Sequence, residues 1–314
     1  MPAINTSAPG KVILFGEHAV VYGQPAIAAP VHEVKAKVSV TPNPKGMAGA
    51  VRLVAKDVDV DALLPELDPA HPLAVALQAV CVHLGVKDLP ACTVKVTSSI
   101  PLAAGLGSGA AVSVAVVRAM AAFLGRPLSD NEVSALAYEV EKVHHGTPSG
   151  IDNAVIAHAQ ALYFVKDRPF EKLHPKKPIT LAIADTGISS PTRQAVGDVR
   201  KAWQADKKKY EAYFESVGSI VDSARQAIEA GSLEQLGALM DANHGLLRKI
   251  GVSCPALDAL AAGARQAGAF GAKLSGGGRG GNLIALVDQE RVDAVARAMI
   301  AAGAVRVIVT DIKK

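Results

Sequence analysis

Cysteine is scarce in this chain. Cys81, Cys92 and Cys254 are the only three in 314 residues, and no CxxC pair occurs. An odd, unpatterned set excludes a disulfide framework and offers no structural zinc spacing, so reduced thiols in a reducing compartment are expected. Aromatics are few, at 4% with one tryptophan, so the interior must be built from aliphatic and small side chains. No uninterrupted apolar run reaches membrane-spanning length; the run from Ala110 to Val117 stops at Arg118 and reads as a buried helix. The opening residues Met1–Pro9 lack the basic and apolar regions of a signal peptide, which points to the cytoplasm and to no membrane partner. The formal charge is only +4, and its one dense run, Lys207–Lys209, reads as a solvated helix face rather than a nucleic-acid patch. Also missing are G-x-x-x-x-G-K-[ST], His-Arg-Asp and Asp-Phe-Gly, which excludes P-loop and protein-kinase machinery.

Half of the residues are hydrophobic, enough for a sizeable core. Alternation predicts strands at Val34–Thr41 and Cys92–Thr97, and short apolar runs predict others at Val12–Phe15, Val51–Ala55 and Leu162–Val165. Helical periodicity covers His71–Leu84 and Ser108–Leu124. The capping box Ser129-Asp-Asn-Glu132 starts a further helix running to about His145. A charged, proline-bearing connector, Lys166–Pro178, suggests a boundary and domains of 1–170 and 171–314. Beyond it, strands are expected at Ile179–Asp185, Ala272–Ser275, Leu283–Val287 and Val305–Thr310. Helices are expected over Thr192–Ala230, Leu233–Ile250, Pro255–Ala267 and Gln289–Ala302, as in an α+β sandwich.

Three glycine-bearing segments carry the chemistry: Lys11–Gly23, Pro101–Ala111 and Lys273–Gly281. Glycine lets backbone N–H groups approach an anion, and a following helix N-terminus adds a favourable dipole. Gly105–Ala110 fits G-x-G-x-x-A and Gly276–Gly281 fits G-x-G-x-x-G. A dinucleotide site, however, needs a strand directly before the glycines and a helix directly after. Five residues separate the first set from its strand, and the second runs into a strand. Ser108, at the first turn of its helix, either caps that helix or meets a metal and phosphate. Gly276–Gly281 is either a flexible turn or a backbone pressed against a ligand. Val133, Leu136, Ala137, Val140 and His144 form one helical stripe, with Glu141 at its edge and Glu139 pointing away. Glu141 and Asp152 could be two surface charges or the metal ligand and hydroxyl-positioning group of phosphoryl transfer. Lys11 is a strand end, exposed or functional. His18 is a satisfied core histidine or a ligand group, and His144 and His145 read as helix-dipole partners.

These segments, with the Gly146–Asp152 turn, resemble the GHMP family of small-molecule kinases over nearly the whole length. Phe15-Gly-Glu-His18-Ala-Val-Val-Tyr-Gly23 looks like the form found in the branch that phosphorylates mevalonate. So do Asp185–Thr192 and Asn243–Ser253. The resemblance implies an α+β fold of two domains, a ribosomal S5 domain-2-like N-terminal half and a ferredoxin-like C-terminal half. It implies transfer from ATP to the C5 hydroxyl of mevalonate, with Mg²⁺ as cofactor. Asp152 would act on the hydroxyl, and Lys11 would lower its pKa and stabilise developing charge. Glu17, His18, Ser149, Thr192 and Gly277 would bind the acceptor. Pro101, Ala104, Gly105, Leu106, Gly107, Ser108, Gly109, Ala110 and Ala111 would wrap ATP, and Glu141 with Ser108 would hold the metal. The family usually has serine at the place of Gly109, so Ser108 or water would complete the shell. Mevalonate and ATP are the expected partners, with no nucleic acid; a homodimer is compatible with the sequence. The alternatives are a relative acting on another hydroxy acid or on phosphomevalonate, or a ligand sensor without catalysis. His18 and Thr192 argue against the first; Lys11, Glu141 and Asp152 argue against the second.

Overall fold

The computed structural model describes residues 2–101, 104–145, 148–189 and 192–313, without the side chains of His144 and His145. The chain forms two units. Unit 1 contains residues up to Gly10, Val34–Pro101 and Gly107–Ala159; unit 2 contains Lys11–Glu33, the stretch ending at Leu106, and the chain from Gln160 onward. A single cut after residue 170 does not describe these units. Two strands much longer than expected, β1 (Ile4–Phe15) and β2 (Ala26–Pro42), each give one part of their length to either unit. Their outer portions, Ile4–Lys11 and Ala26–Glu33, lack a clean alternation, which is why the sequence pattern missed them.

Unit 1 adds β3 (Val51–Ala55), β4 (Val60–Leu63), α1 (Pro72–Leu84), β5 (Cys92–Ser98), α2 (Ser108–Phe123), α3 (Asp130–His145) and α4 (Ile151–His158). The register Ala36↔Ser98 to Pro42↔Cys92 joins β2 and β5 antiparallel; β3 lies parallel to β5 and antiparallel to β4. The alanine- and valine-rich α2 is buried on nearly every face, against α1, α3, α4 and β5. Small side chains allow that close approach, and buried valines such as Val114 and Val117 each contribute about 1.5–3 kcal/mol. The capping box forms as read: Ser129 N–H donates to Glu132 at 2.9 Å and Glu132 N–H to Ser129 Oγ at 3.4 Å. Strand β4 and helix α4 were not expected.

Unit 2 continues with β6 (Leu162–Phe164), β7 (Glu171–Lys172), β8 (Ile179–Asp185), α5 (Thr192–Ala205), α6 (Lys207–Ala230), α7 (Leu233–Ile250), α8 (Pro255–Gln266), β9 (Gly271–Ser275), β10 (Asn282–Val287), α9 (Val292–Ala301) and β11 (Arg306–Ile312). Within it, Ala26–Ala28 of β2 pairs with β6. The order β11-β8-β10-β9 makes an antiparallel sheet whose strands β8, β9 and β10 are buried along their whole length. Helices α7 and α8 pack on β9. The long helix expected from Thr192 divides at Asp206, whose side chain accepts from Lys209 N–H and caps α6. Among the described residues no helix is long and apolar enough to cross a membrane.

Candidate active site

In unit 2, the end of β1 is positioned by β9 and the turn that follows it. Ser275 Oγ accepts from Ile13 N–H and donates to Ile13 O, both at 3.0 Å. At Gly16 the chain bends with φ +97°, and an added Cβ would lie 2.5 Å from Pro25 O. Only glycine fits there, and the bend turns Glu17 and His18 inward. Both are buried. His18 has φ 61° and ψ −47°, a conformation a side-chain-bearing residue adopts at a cost of about 1–3 kcal/mol.

His18 Nε2 lies 3.1 Å from Gly277 O. A carbonyl can only accept, so this nitrogen carries the proton and Nδ1 is a bare acceptor. Burial pushes the imidazole pKa down to about 4, against the Gly277 carbonyl, which favours the charged form. Glu17 is paired with the ammonium of Lys273, which also donates to Leu274 O at 2.6 Å. Burial pushes Glu17 up and Lys273 down, and their mutual attraction opposes both shifts. Lys11 is buried as well, not an exposed strand end, and its N–H donates to Leu106 O at 3.0 Å.

The second and third glycine segments meet within this unit. An added Cβ on Gly105 would lie 3.9 Å from Ser275 O, and one on Gly276 would lie 3.9 Å from Gly105 O. Asn282 donates its amide to Ala104 O. Thr192 lies against Gly277, its Oγ1 3.2 Å from where a Cβ would be. Gly278, at φ +74°, has Val252 O 2.0 Å from its missing Cβ, so the turn is pressed onto the end of the Asn243–Ser253 segment. That segment buttresses β9. His244 Nδ1 accepts from Leu274 N–H at 3.3 Å, leaving Nε2 to donate to Asp258 at 3.1 Å.

In unit 1, Gly107 opens α2 in a left-handed conformation and its carbonyl accepts from Ala111 N–H at 2.9 Å. Ser108, Gly109 and Ala110 form the first turn of α2, where free N–H groups and the dipole favour an anion. Glu141 is buried while Glu139 is exposed and pairs with Lys142 at 2.6 Å. Glu141 Oε1 lies 3.7 Å from where a Gly109 Cβ would be, so a buried carboxylate faces the start of α2. Among the described residues no group of three or more His, Cys, Asp or Glu could hold a metal. One hard oxygen ligand beside an anion-binding helix start fits a divalent cation that takes its other oxygens from phosphates and water. Ser149 Oγ accepts from Ile151 N–H at 3.4 Å, and Asp152 sits half-buried in the first turn of α4. Pro101 is half-buried at the end of its stretch of unit 1. Gly146 and Thr147 of the expected turn, and the side chains of His144 and His145, lie outside the described residues.

The structure thus gathers Glu17, His18, Thr192, Gly277 and Gly105 in unit 2, and Ser108, Gly109 and Glu141 in unit 1. In the sequence, Lys273 is only the first residue of a glycine segment, with no role of its own. Its signal was a lone charge in the otherwise uncharged strand Gly271–Ser275.

Two family models match, GHMP kinases N terminal domain over residues 72–160 and GHMP kinases C terminal over 224–305. The mevalonate kinase of Pyrococcus horikoshii is 38% identical over 318 residues, covering 96% of this chain and 93% of its own. That of Thermococcus sibiricus is 37% identical over 318 residues, covering 96% and 94%. The crystal structure of L. major mevalonate kinase in complex with R-mevalonate superposes with a TM-score of 0.83 at 31% identity, over 98% of this chain and 95% of that one. The α+β GHMP kinase fold expected from the motifs is the fold found. Likeness of this extent, along nearly the entire length, means that the chain belongs to the mevalonate kinase family of GHMP kinases.

Proposed function

We propose that this enzyme transfers the terminal phosphoryl group of ATP to the C5 hydroxyl of mevalonate, giving 5-phosphomevalonate and ADP. The observation that carries the reading is the meeting of His18, Gly277 and Thr192, three residues from distant segments, beside Glu17. All four were expected to contact the acceptor, and each lies within unit 2.

Asp152 accepts the proton of the C5 hydroxyl as its oxygen forms the new bond to the γ-phosphorus. The bond from that phosphorus to the bridging oxygen breaks, and ADP leaves with the electron pair. Lys11 supplies positive charge to the developing oxyanion. The backbone N–H groups of Gly105–Ala111, with the dipole of α2, hold the phosphates, and Ser149 lines the acceptor side. Mg²⁺, when bound, neutralises phosphate charge; Glu141 and Ser108 would hold it, with water in the place that a serine at 109 would fill. Three free thiols suit the reducing cytoplasm as the place of this activity.

A coupled ADP-release assay with mevalonate, phosphomevalonate, galactose and homoserine tests the reading. Mevalonate should be turned over far faster than the other three. Preference for another acceptor would assign the enzyme to a different substrate. Binding of mevalonate without ADP release from any acceptor would point to a sensor.

A further inference from the structure

Lys273 is completely buried in a strand that is buried throughout. Placing an ammonium there costs several kcal/mol unless its charge and its N–H groups are matched. The match is made to Glu17 Oε1 and Leu274 O, with the Phe15 ring centroid 6.0 Å from Nζ. Glu17 Oε2 is buried too, and has no hydrogen-bond partner among the described residues. The same holds for Nδ1 of the adjacent His18, whose other nitrogen is engaged by Gly277 O. Two unmatched acceptors on consecutive residues, both fully desolvated, are costly to a fold that gains nothing from them. A molecule bringing hydroxyl donors would match both.

We propose that Lys273 is a positioning residue: its ammonium holds Glu17 ionised and pinned through Oε1, so that Oε2 and His18 Nδ1 together accept hydrogen bonds from the hydroxyl groups of the acceptor substrate. This rests on the hydroxy-acid kinase reading above. The charged and titratable groups that bear on Glu17 are Lys273 and, more weakly, Lys11, with His18 next to it in sequence. Arg279 bears on His18, and His244 and Asp258 lie behind Lys273. With Lys273 removed, the two largest effects opposing burial are lost, and only the Glu17 backbone N–H and the weaker pull of Lys11 still favour the carboxylate. The carboxyl then holds its proton at neutral pH and is no longer pinned through Oε1.

The test compares wild type, Lys273→Met, Lys273→Gln, Lys273→Arg and Glu17→Gln, reading KM for each substrate and kcat across pH. Met and Gln at 273 should raise KM for mevalonate about tenfold to hundredfold, the span expected for a lost hydrogen bond to a charged group. KM for ATP should stay within about threefold. In both variants kcat/KM for mevalonate should climb with pH as Glu17 ionises; Glu17→Gln should show the loss without the climb. Lys273→Arg, which keeps the charge, should restore most of the affinity. A mevalonate KM within about threefold of wild type in folded Lys273→Met or Lys273→Gln overturns the proposal. So does an equal rise of both KM values, or an Arg variant as impaired as Met. A carboxyl ¹³C NMR titration, with the Glu17 signal assigned by its absence in Glu17→Gln, reads the charge without turnover. Glu17 should be ionised at pH 7 in wild type and protonated in Lys273→Met; an ionised Glu17 in that variant overturns the proposal. If wild type releases no ADP with mevalonate, it is the functional reading that fails, and the titration still decides the role of Lys273.

Discussion

Glu17 and His18 in unit 2 are held by side-chain bonds reaching across 256 and 259 residues of sequence. Glu141 and Asp152 in unit 1 sit on helices, Glu141 near the end of α3 and Asp152 in the first turn of α4. The first arrangement desolvates its polar groups and fixes them in advance. The second leaves a carboxylate half-exposed at a helix start, next to N–H groups that favour negative charge. Recognition of one particular acceptor needs fixed, unmatched hydrogen-bonding groups, because discrimination comes from what a wrong ligand leaves unpaired. Handling a metal and a phosphate chain needs charge and access more than a rigid frame. Changes in unit 1 should therefore act on turnover and metal demand, and changes in unit 2 on acceptor affinity and on stability.

The largest effect expected is at Asp152. Asp152→Asn keeps the packing but removes the proton acceptor, which typically contributes about 10²–10⁴-fold. Turnover should fall by that order while ATP binding, measured by calorimetry, stays nearly intact. A variant keeping more than about a tenth of the wild-type rate would remove Asp152 from this role and leave its helix-start position as a sufficient account of it.

Glu141→Gln takes an anionic oxygen away from the start of α2. The Mg²⁺ concentration for half-maximal activity should rise roughly tenfold, equivalent to about 1.4 kcal/mol. Glu139→Gln, on the exposed face of the same helix, should change it less than about twofold. Equal responses from the two would sink the distinction between the faces of α3.

This contrast between faces was readable from the chain alone, because a 3.6-residue period, a capping box and an apolar stripe are local facts. The same is true of α2 and α7. The interleaving of the units was not, since β1 and β2 are divided by packing rather than by any composition shift. Helix α4 escaped because eight residues beginning after Gly150 give too short a period to detect. Lys273 escaped for a different reason. A lysine in a strand reads as an exposed position, and the carboxylate that makes its burial tolerable lies 256 residues earlier. Motifs located Glu17 and His18, but only the fold reveals what neutralises one and sets the tautomer of the other.

The burial of His18 predicts a pH dependence that unit 1 should not share. Its folded pKa is lowered from 6.5 to about 4. A lowered histidine contributes stability that is fully present above 6.5 and lost progressively as pH falls toward about 4, because the unfolded chain takes up the proton first. The span corresponds to about 3 kcal/mol. His18→Gln can still donate to Gly277 O, yet does not titrate. The difference in unfolding free energy between wild type and this variant, followed from pH 7 down to 4, isolates the effect from Glu17 and His244. A difference that stays constant with pH would mean that His18 is hydrated or charged in the folded protein.

The smallest effect expected is at Gly109, and it sharpens the account of unit 1. Gly109→Ser should tighten Mg·ATP binding by about 0.5–1.5 kcal/mol, the net worth of one hydrogen bond, because water fills that place at little cost. The backbone permits the change: Gly109 is not in the left-handed region, and among the described residues outside its own helix backbone the contact of its missing Cβ is Glu141 Oε1 at 3.7 Å, an ordinary distance. A serine hydroxyl there would stand beside the carboxylate that faces the helix start, able to meet the same cation or a phosphate oxygen. The acceptor preference should not move, since the groups that read the acceptor lie in unit 2. Titrating ATP at saturating mevalonate, then mevalonate at saturating ATP, separates the outcomes. An inactive variant would mean that the first turn of α2 must change conformation during the cycle and needs glycine for it. A changed acceptor preference would break the comparison itself, because a residue of the phosphate-binding turn would then be taking part in acceptor recognition.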